Sequence, residues 1–594
     1  MSADMLARIY REDSAWRAGL LADLPAGLRQ HWQTTYDRIF QRQGLAGDVR
    51  RAANSFLRQA HRRATGTAAG LPLDTDGDTI DTRARDLCRQ ARAALSRPAG
   101  HAGIETGGLP SAERLAQAVA IELPATGSPA GLAARLVEDR FWLRRVRTQT
   151  GRRRESLEIA AGLVHKRRSA YVSADTLAVV RRTRARNAAL LAATRLVSDA
   201  GDDVPLDEIV AASVSNPAIR RAELMTRIAG MERASLANGH AAEFLTLTAP
   251  SAFHARLSNG RKNPRWQGST PREAQAWMTK QWGRARSAFA RAGLSVYGLR
   301  IAEPHHDGTP HWHVLLMGEA EALQRAIAIA TDYWQREFAE ELTSSEARRA
   351  RAYSVAIDRQ RGSAAGYVVK YVCKNIDGAG VSEGDFEAGT DAASGAERVR
   401  AWASIWGIRQ FQFFGAAPVT LWREARRAAD RISEVSGALA VVIDAADRGA
   451  WDDYTAAMRG RAVSLRYRSA LNRYGEPMQI IAGLTDTASG ETLTTRVKTW
   501  RMEWSGSQKS GVSRSWTRVN NCTRGHFSTE GETHHDYQEH RQAERPQATG
   551  NSGRSAARGD QSQHHRHRGG CGQGDFHGRN HRDGGRGRAG VCHC

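Results

Sequence analysis

No apolar run in the sequence approaches the roughly 18 residues that would read as a membrane-spanning helix. The N-terminus carries charges where a secretory signal needs an apolar stretch, so export by that route is not expected. Cysteine is scarce. There are six among 594 residues (Cys88, Cys373, Cys522, Cys571, Cys592 and Cys594), with no disulfide-framework spacing. A reducing cytoplasm is the expected compartment. The pattern G-x-x-x-x-G-K-[ST] is missing, which excludes the common phosphate-cradling loop of nucleotide-driven motors. Negative charge is also short: 63 acidic against 86 basic residues leave +23, and the pI is near 10.5. An excess of this size makes a polyanion, nucleic acid above all, the expected partner.

A chain this long exceeds one hydrophobic core, and roughly three or four domains are expected. Residues 1–235 read as mainly helical, with Ala, Leu and Arg at helical spacings as in Leu177 to Arg186. Leu71–Asp78 and Gly100–Gly108 break that pattern and read as loops. The basic runs Arg152-Arg153-Arg154 and Lys166-Arg167-Arg168 are candidates for tracking phosphates, with solvated charged faces as the competing reading.

Residues 236–430 change texture. Phe244-Leu245-Thr246-Leu247-Thr248 alternates like a strand, and Thr270-Pro271-Arg272-Glu273 is a capping box opening a helix that ends near Gly293. Strands are expected from Val296 to Ala302, around His311, from Tyr353 to Asp358 and from Gln410 to Phe414. Helices are expected over Leu323 to Phe338, Ala364 to Ile376 and Val419 to Arg427. Strands mixed with helices, some joined by short loops, predict an α+β domain with a largely antiparallel sheet. Residues 431–520 read as helix and then a hairpin, Met478 to Gly483 against Thr492 to Trp500. Residues 521–594 are rich in Gly, Arg and His without apolar periodicity, and a disordered tail is expected there.

The chemistry centres on Pro310-His311-Trp312-His313-Val314-Leu315-Leu316. Positions i and i+2 of a strand share a face, so His311 and His313 can address one ion. Glu303, ending the preceding strand, adds a carboxylate, with His305 and His306 as rival third ligands. Two imidazoles, one carboxylate and open positions suit a catalytic divalent ion better than a closed structural site. A histidine-triad hydrolase would need histidine where Leu315 stands, and a cupin would place Glu about four residues after the pair. Tyr367 and Tyr371 lie one turn apart on the expected helix, each followed three residues on by a lysine (Lys370, Lys374) placed to stabilise a phenolate or a phosphate.

These residues carry a resemblance. Phe244 to Thr248, Glu303 to Leu316 and Gly366-Tyr367-Val368-Val369-Lys370-Tyr371-Val372-Cys373-Lys374-Asn375-Ile376-Asp377 resemble the three motifs of two-tyrosine rolling-circle initiators. With Trp406 to Phe411 and Trp516 to Cys522, the chain is similar to the bacteriophage replication gene A protein family. The resemblance implies a HUH endonuclease fold, with the His strand central and the tyrosine helix laid over it. It implies Mg²⁺ or Mn²⁺ on His311, His313 and Glu303, with Tyr367 or Tyr371 attacking a scissile phosphate to leave a 5′-phosphotyrosine and a free 3′-OH. It further implies single-stranded and origin DNA as partners, with a separate host helicase and the replication machinery, in the bacterial cytoplasm. The competing classes are a non-enzymatic DNA-binding protein with a structural metal, and a relaxase or transposase of the same superfamily. A structural site needs a fourth ligand, and relaxases usually place tyrosine before the His motif, so both are disfavoured.

Overall fold

The computed structural model describes residues 13–504, apart from short stretches at 23, 43–45, 67–69, 74–76, 97–107, 126 and 380–388. The expected loop at Gly100–Gly108 lies almost wholly outside the described residues, as do the tail and the Trp516 to Cys522 segment. The described residues are α+β with antiparallel sheets, as the strand and helix patterning predicts.

Eleven strands occur among them: β1 (Thr194–Ser198), β2 (Asp203–Pro205), β3 (Ala241–Thr248), β4 (Val296–Pro304), β5 (Pro310–Gly318), β6 (Ala352–Ala356), β7 (Phe411–Phe414), β8 (Val463–Leu471), β9 (Pro477–Asp486), β10 (Thr492–Thr494) and β11 (Trp500–Trp504). The main sheet is antiparallel throughout, in the order β6-β3-β5-β4-β7, so the His strand β5 is central. Every residue of β5 is buried, because helices cover both faces. One face presents Leu245, Leu247, Ala302, Trp312, Val314 and Leu316 to the Pro271–Arg291 and Ala320–Arg336 helices. The other presents Phe244, Leu299, Ile301, Leu315 and Met317 to the Ala364–Ile376 helix, called the tyrosine helix below. Each fully buried aliphatic side chain here contributes about 1.5–3 kcal/mol of transfer free energy. Trp312 has its indole N–H satisfied by Gln275 Oε1 at 3.0 Å, so its burial leaves no unpaired donor.

Local signals hold where they were strong. Both halves of the Thr270–Glu273 capping box form, and the helix runs Pro271–Arg291. The tyrosine helix begins at Ser363, whose side chain accepts from Gly366 N–H at 2.9 Å. The Glu232 carboxylate accepts from the N–H groups of Ala364 and Ala365, satisfying donors that a helix start otherwise leaves orphaned.

Other expectations need correction. The N-terminal region carries β1 and β2 as well as helices, and β8 was not anticipated at all. The expected hairpin arm from Thr492 to Trp500 is two strands. β10 pairs with β9 around the Gly490 turn (φ +76°), whereas β11 leaves to pair with β1, Trp504 opposite Thr194 and Trp500 opposite Ser198. The Leu323 helix stops at Arg336, and Phe338 takes a left-handed φ of +59° beyond it.

Candidate active site

The register of the sheet builds the site. Glu303 lies directly opposite His311, and Thr246 opposite His313, so all four face the tyrosine helix. His311 Nε2 and His313 Nε2 are 3.1 Å apart, and His313 Nε2 is 4.0 Å from Glu303 Oε2. One donor atom from each of the three residues lies within 4.8 Å of the others. Two donors about 2.1 Å from one ion, at angles between 90° and tetrahedral, lie roughly 3.0–3.4 Å apart, so the two nitrogens fit a shared divalent ion. Burial, reinforced by neighbouring imidazoles, holds His311 well below its ordinary pKa. Burial and then the ammonium groups of Lys374 and Lys370 bring His313 down to about 3. Both imidazoles are therefore neutral at pH 7, with lone pairs free to ligate.

The tyrosines close over this face. The Tyr371 ring centroid is 4.3 Å from that of His313, and both Tyr371 and Tyr367 pack on Phe244. Tyr367 is 41 % exposed, while Tyr371 is half-buried. Burial, and then the Glu303 charge, raises the Tyr371 phenol well above its ordinary value, so it is un-ionised at neutral pH. Burial raises Tyr367 likewise.

The two lysines separate. Lys370 Nζ sits 6.0 Å from the ring centroid of Tyr367, its partner by the three-residue spacing, and closer, at 4.9 Å, to that of the adjacent Tyr371. Lys374 instead lies 3.7 Å from Glu303 Oε2 and 5.5 Å from the ring of Tyr171, so its nearest acidic neighbour is a candidate metal ligand. Of the rival third ligands, His306 is buried and His305 is partly buried. The His305 ring is 4.1 Å from that of His311, outside the three-donor group.

Sequence reading missed the residues behind the ligands. Asn375 donates through Nδ2 to Glu303 Oε1 and to the Tyr371 carbonyl at 2.7 Å, and its own Oδ1 accepts from Gln410 Nε2 at 3.1 Å. Thr246 Oγ1 lies 3.3 Å from His313 Nδ1, which leaves Nε2 aimed at the site. The available signal was position: Asn375 stands four residues after Tyr371, on the same helix face. Partners of this kind fix ligand orientation. Asn375→Ala should therefore weaken Mn²⁺ binding by about 10- to 100-fold, followed by paramagnetic resonance; unchanged affinity would remove Glu303 from the donor set.

Comparison with known proteins agrees with the motif reading. The family described as bacteriophage replication gene A protein (GPA) matches residues 90–379. The chain is 40% identical over 411 residues to the replication gene A protein of Escherichia phage 186, covering 66% of this chain and 59% of the relative. It is 34% identical over 428 residues to the replication protein of Haemophilus phage HP1, covering 66% and 53%. A probable replication endonuclease from a prophage-like region of Salmonella typhi is 33% identical over 423 residues, covering 66% and 52%. The chain thus spans between about half and three-fifths of these relatives. No solved structure matches. Carrying the family's match across the tyrosine helix, the His strand and Glu303, this chain belongs to the bacteriophage replication gene A protein family.

Proposed function

We propose that this chain is a site- and strand-specific DNA endonuclease of the two-tyrosine HUH type, which nicks a phage replication origin, starts rolling-circle replication and rejoins the displaced strand. The observation that carries this reading is the tyrosine helix lying on the same sheet face as Glu303, His311 and His313, with Tyr371 against His313. His311, His313 and Glu303 would hold Mg²⁺ or Mn²⁺, which when bound supplies positive charge to the scissile phosphate.

The phenolic oxygen of Tyr371 or Tyr367 attacks phosphorus and the P–O3′ bond breaks. The phenol's proton leaves, and a proton is taken up on the departing 3′ oxygen. The product is a 5′-phosphotyrosine and a 3′-OH that primes synthesis. Bond number is conserved, so no ATP is consumed. Lys370, exposed beside both rings, offsets charge on the attacking phenol or the phosphate. Asn375 and Gln410 keep the Glu303 carboxylate in place. With no Walker-type loop in the sequence, strand separation falls to a host helicase, in the bacterial cytoplasm. Among the described residues no helix is long and apolar enough to cross a membrane.

The test is a supercoiled plasmid carrying the phage origin, incubated with the protein and Mg²⁺ or Mn²⁺ without ATP. The expected product is an open circle with protein bound covalently to its 5′ end. A nick bearing a free 5′ phosphate would overturn the tyrosyl mechanism.

A further inference from the structure

The two basic runs of the N-terminal region have different fates. Arg152 Nε donates to the Ile405 carbonyl at 2.9 Å, Arg153 reaches the carbonyls of Leu71 and Ala64, and Arg154 lies buried 3.7 Å from Glu158. That run is structural. Lys166, Arg167 and Arg168 are all exposed, on a tight turn in which Arg168 N–H donates to the His165 carbonyl at 2.9 Å. Among the described residues, none of the three side chains pairs with a carboxylate. A second tight turn lies against the first. Leu257 N–H donates to the Arg261 carbonyl at 2.9 Å, and a Cβ on Gly260 would stand 3.5 Å from His165 Nδ1 and 3.9 Å from Arg167 Cδ. This second turn exposes Arg261 and Lys262, also without a carboxylate partner among the described residues.

Both turns are fastened to the loop that joins the two ligand strands. Tyr171 N–H donates to the His306 carbonyl at 3.2 Å, and Arg256 N–H to Asp307 Oδ2 at 3.2 Å. Tyr171 holds a left-handed φ of +70° while fully buried, a conformation unusual for a bulky residue and maintained by its surroundings. Its ring also faces the Lys374 ammonium. Five cations on two apposed turns therefore lie beside the Glu303–His311 loop with no carboxylate paired to them among the described residues.

We propose that these two turns form a phosphate-binding clamp for the single DNA strand that runs through the active site. The clamp rests on the nicking reading of that site. It adds that the mainly helical N-terminal region supplies part of the substrate surface, through Lys166, Arg167 and Arg168 facing Arg261 and Lys262. Contacts of this kind act through charge and carry no base sequence.

The test uses the full chain with Lys166, Arg167 and Arg168 changed together to Ala, and separately Arg261→Ala with Lys262→Ala. A fluorescent oligothymidine reports affinity across a salt series. The triple variant should bind roughly tenfold or more weakly, and its salt slope should fall by about 2, near 0.7 for each of three lost phosphate contacts. Cleavage at saturating oligonucleotide should proceed near the wild-type kcat with a raised KM. Swapping charge in kind (Lys166→Arg, Arg167→Lys, Arg168→Lys) should restore binding, and Arg286→Ala with Arg291→Ala on the Pro271–Arg291 helix should leave it unchanged. Wild-type affinity and slope in the triple variant would overturn the clamp while leaving the endonuclease standing. Loss in the charge-preserving variant equal to that in the Ala variant would also overturn it. A wild-type protein that neither binds nor cuts single strands would sink the nicking reading and the clamp together.

Discussion

The Tyr367→Phe/Tyr371→Phe double variant is expected to form no covalent adduct with origin DNA, a complete loss of the nicking product. Phenylalanine keeps the ring packing on Phe244 and removes only the hydroxyl, so the comparison separates nucleophile from core aromatic. The single variants should differ. Tyr371 already lies against His313, so Tyr371→Phe should cost more in a single cleavage than Tyr367→Phe. Residues four apart sit about 40° around a helix and about 6 Å along it, so a small shift brings the outer phenol to the same phosphate. Each single variant should retain some cleavage of an oligonucleotide, yet fail at repeated rounds of circle release. While one tyrosine holds the displaced 5′ end, the other must cut the regenerated origin, and the new 3′-OH then closes the circle by attacking the first phosphotyrosine. An adduct formed by the double variant would exclude both residues as nucleophiles.

His311→Ala or His313→Ala should reduce nicking by at least about 10³-fold, with single-strand binding largely kept. Each change leaves two of three donors and removes charge stabilisation from the transition state, a loss typically of this order or larger. Affinity survives because it is spread over exposed basic groups at some distance along the strand. Both side chains are less than a tenth exposed, so thermal melting must be recorded alongside to show that the lost rate is not lost fold. A His variant that melts like the wild type and cuts at the wild-type rate would show that the ligands are elsewhere. Glu303→Ala should lose less and recover partly with Mn²⁺. Unchanged activity there would move the third ligand to His305, whose ring lies on that of His311.

What could be read from the sequence was whatever is decided within a few residues. The Thr270 capping box, the tyrosine helix and the alternation that sends His311 and His313 one way and Trp312 and Val314 the other are all local, and all formed as expected. Glu303 was legible because a strand, a short loop and a strand fix its register opposite His311. What escaped depends on distant partners. Strand β8 alternates apolar and polar only from Val463 to Arg468, and its partner β9, with a register shift at Arg466/Tyr467, is what makes it a nine-residue strand. Lys374 follows Tyr371 by three residues, yet a carboxylate one element away claims it. Arg152, Arg153 and Arg154 look in sequence like Lys166, Arg167 and Arg168. Only packing shows that one run is interior and the other exposed.

The pairing of β1 with β11 joins residues 194 and 504, with the whole five-stranded sheet between them in the chain. During synthesis, β1 emerges long before its partner exists. At about 5–20 residues per second, a separation of 504 − 194 = 310 positions is a wait on the order of 15–60 s, during which only the short β2 lies along β1. The five-stranded sheet has time to collapse first on its own local hairpin, β4 with β5, and its nearby helices. The β1–β11 ladder then latches around a finished domain, and nascent chains stalled before residue 500 should expose Leu196 to proteases.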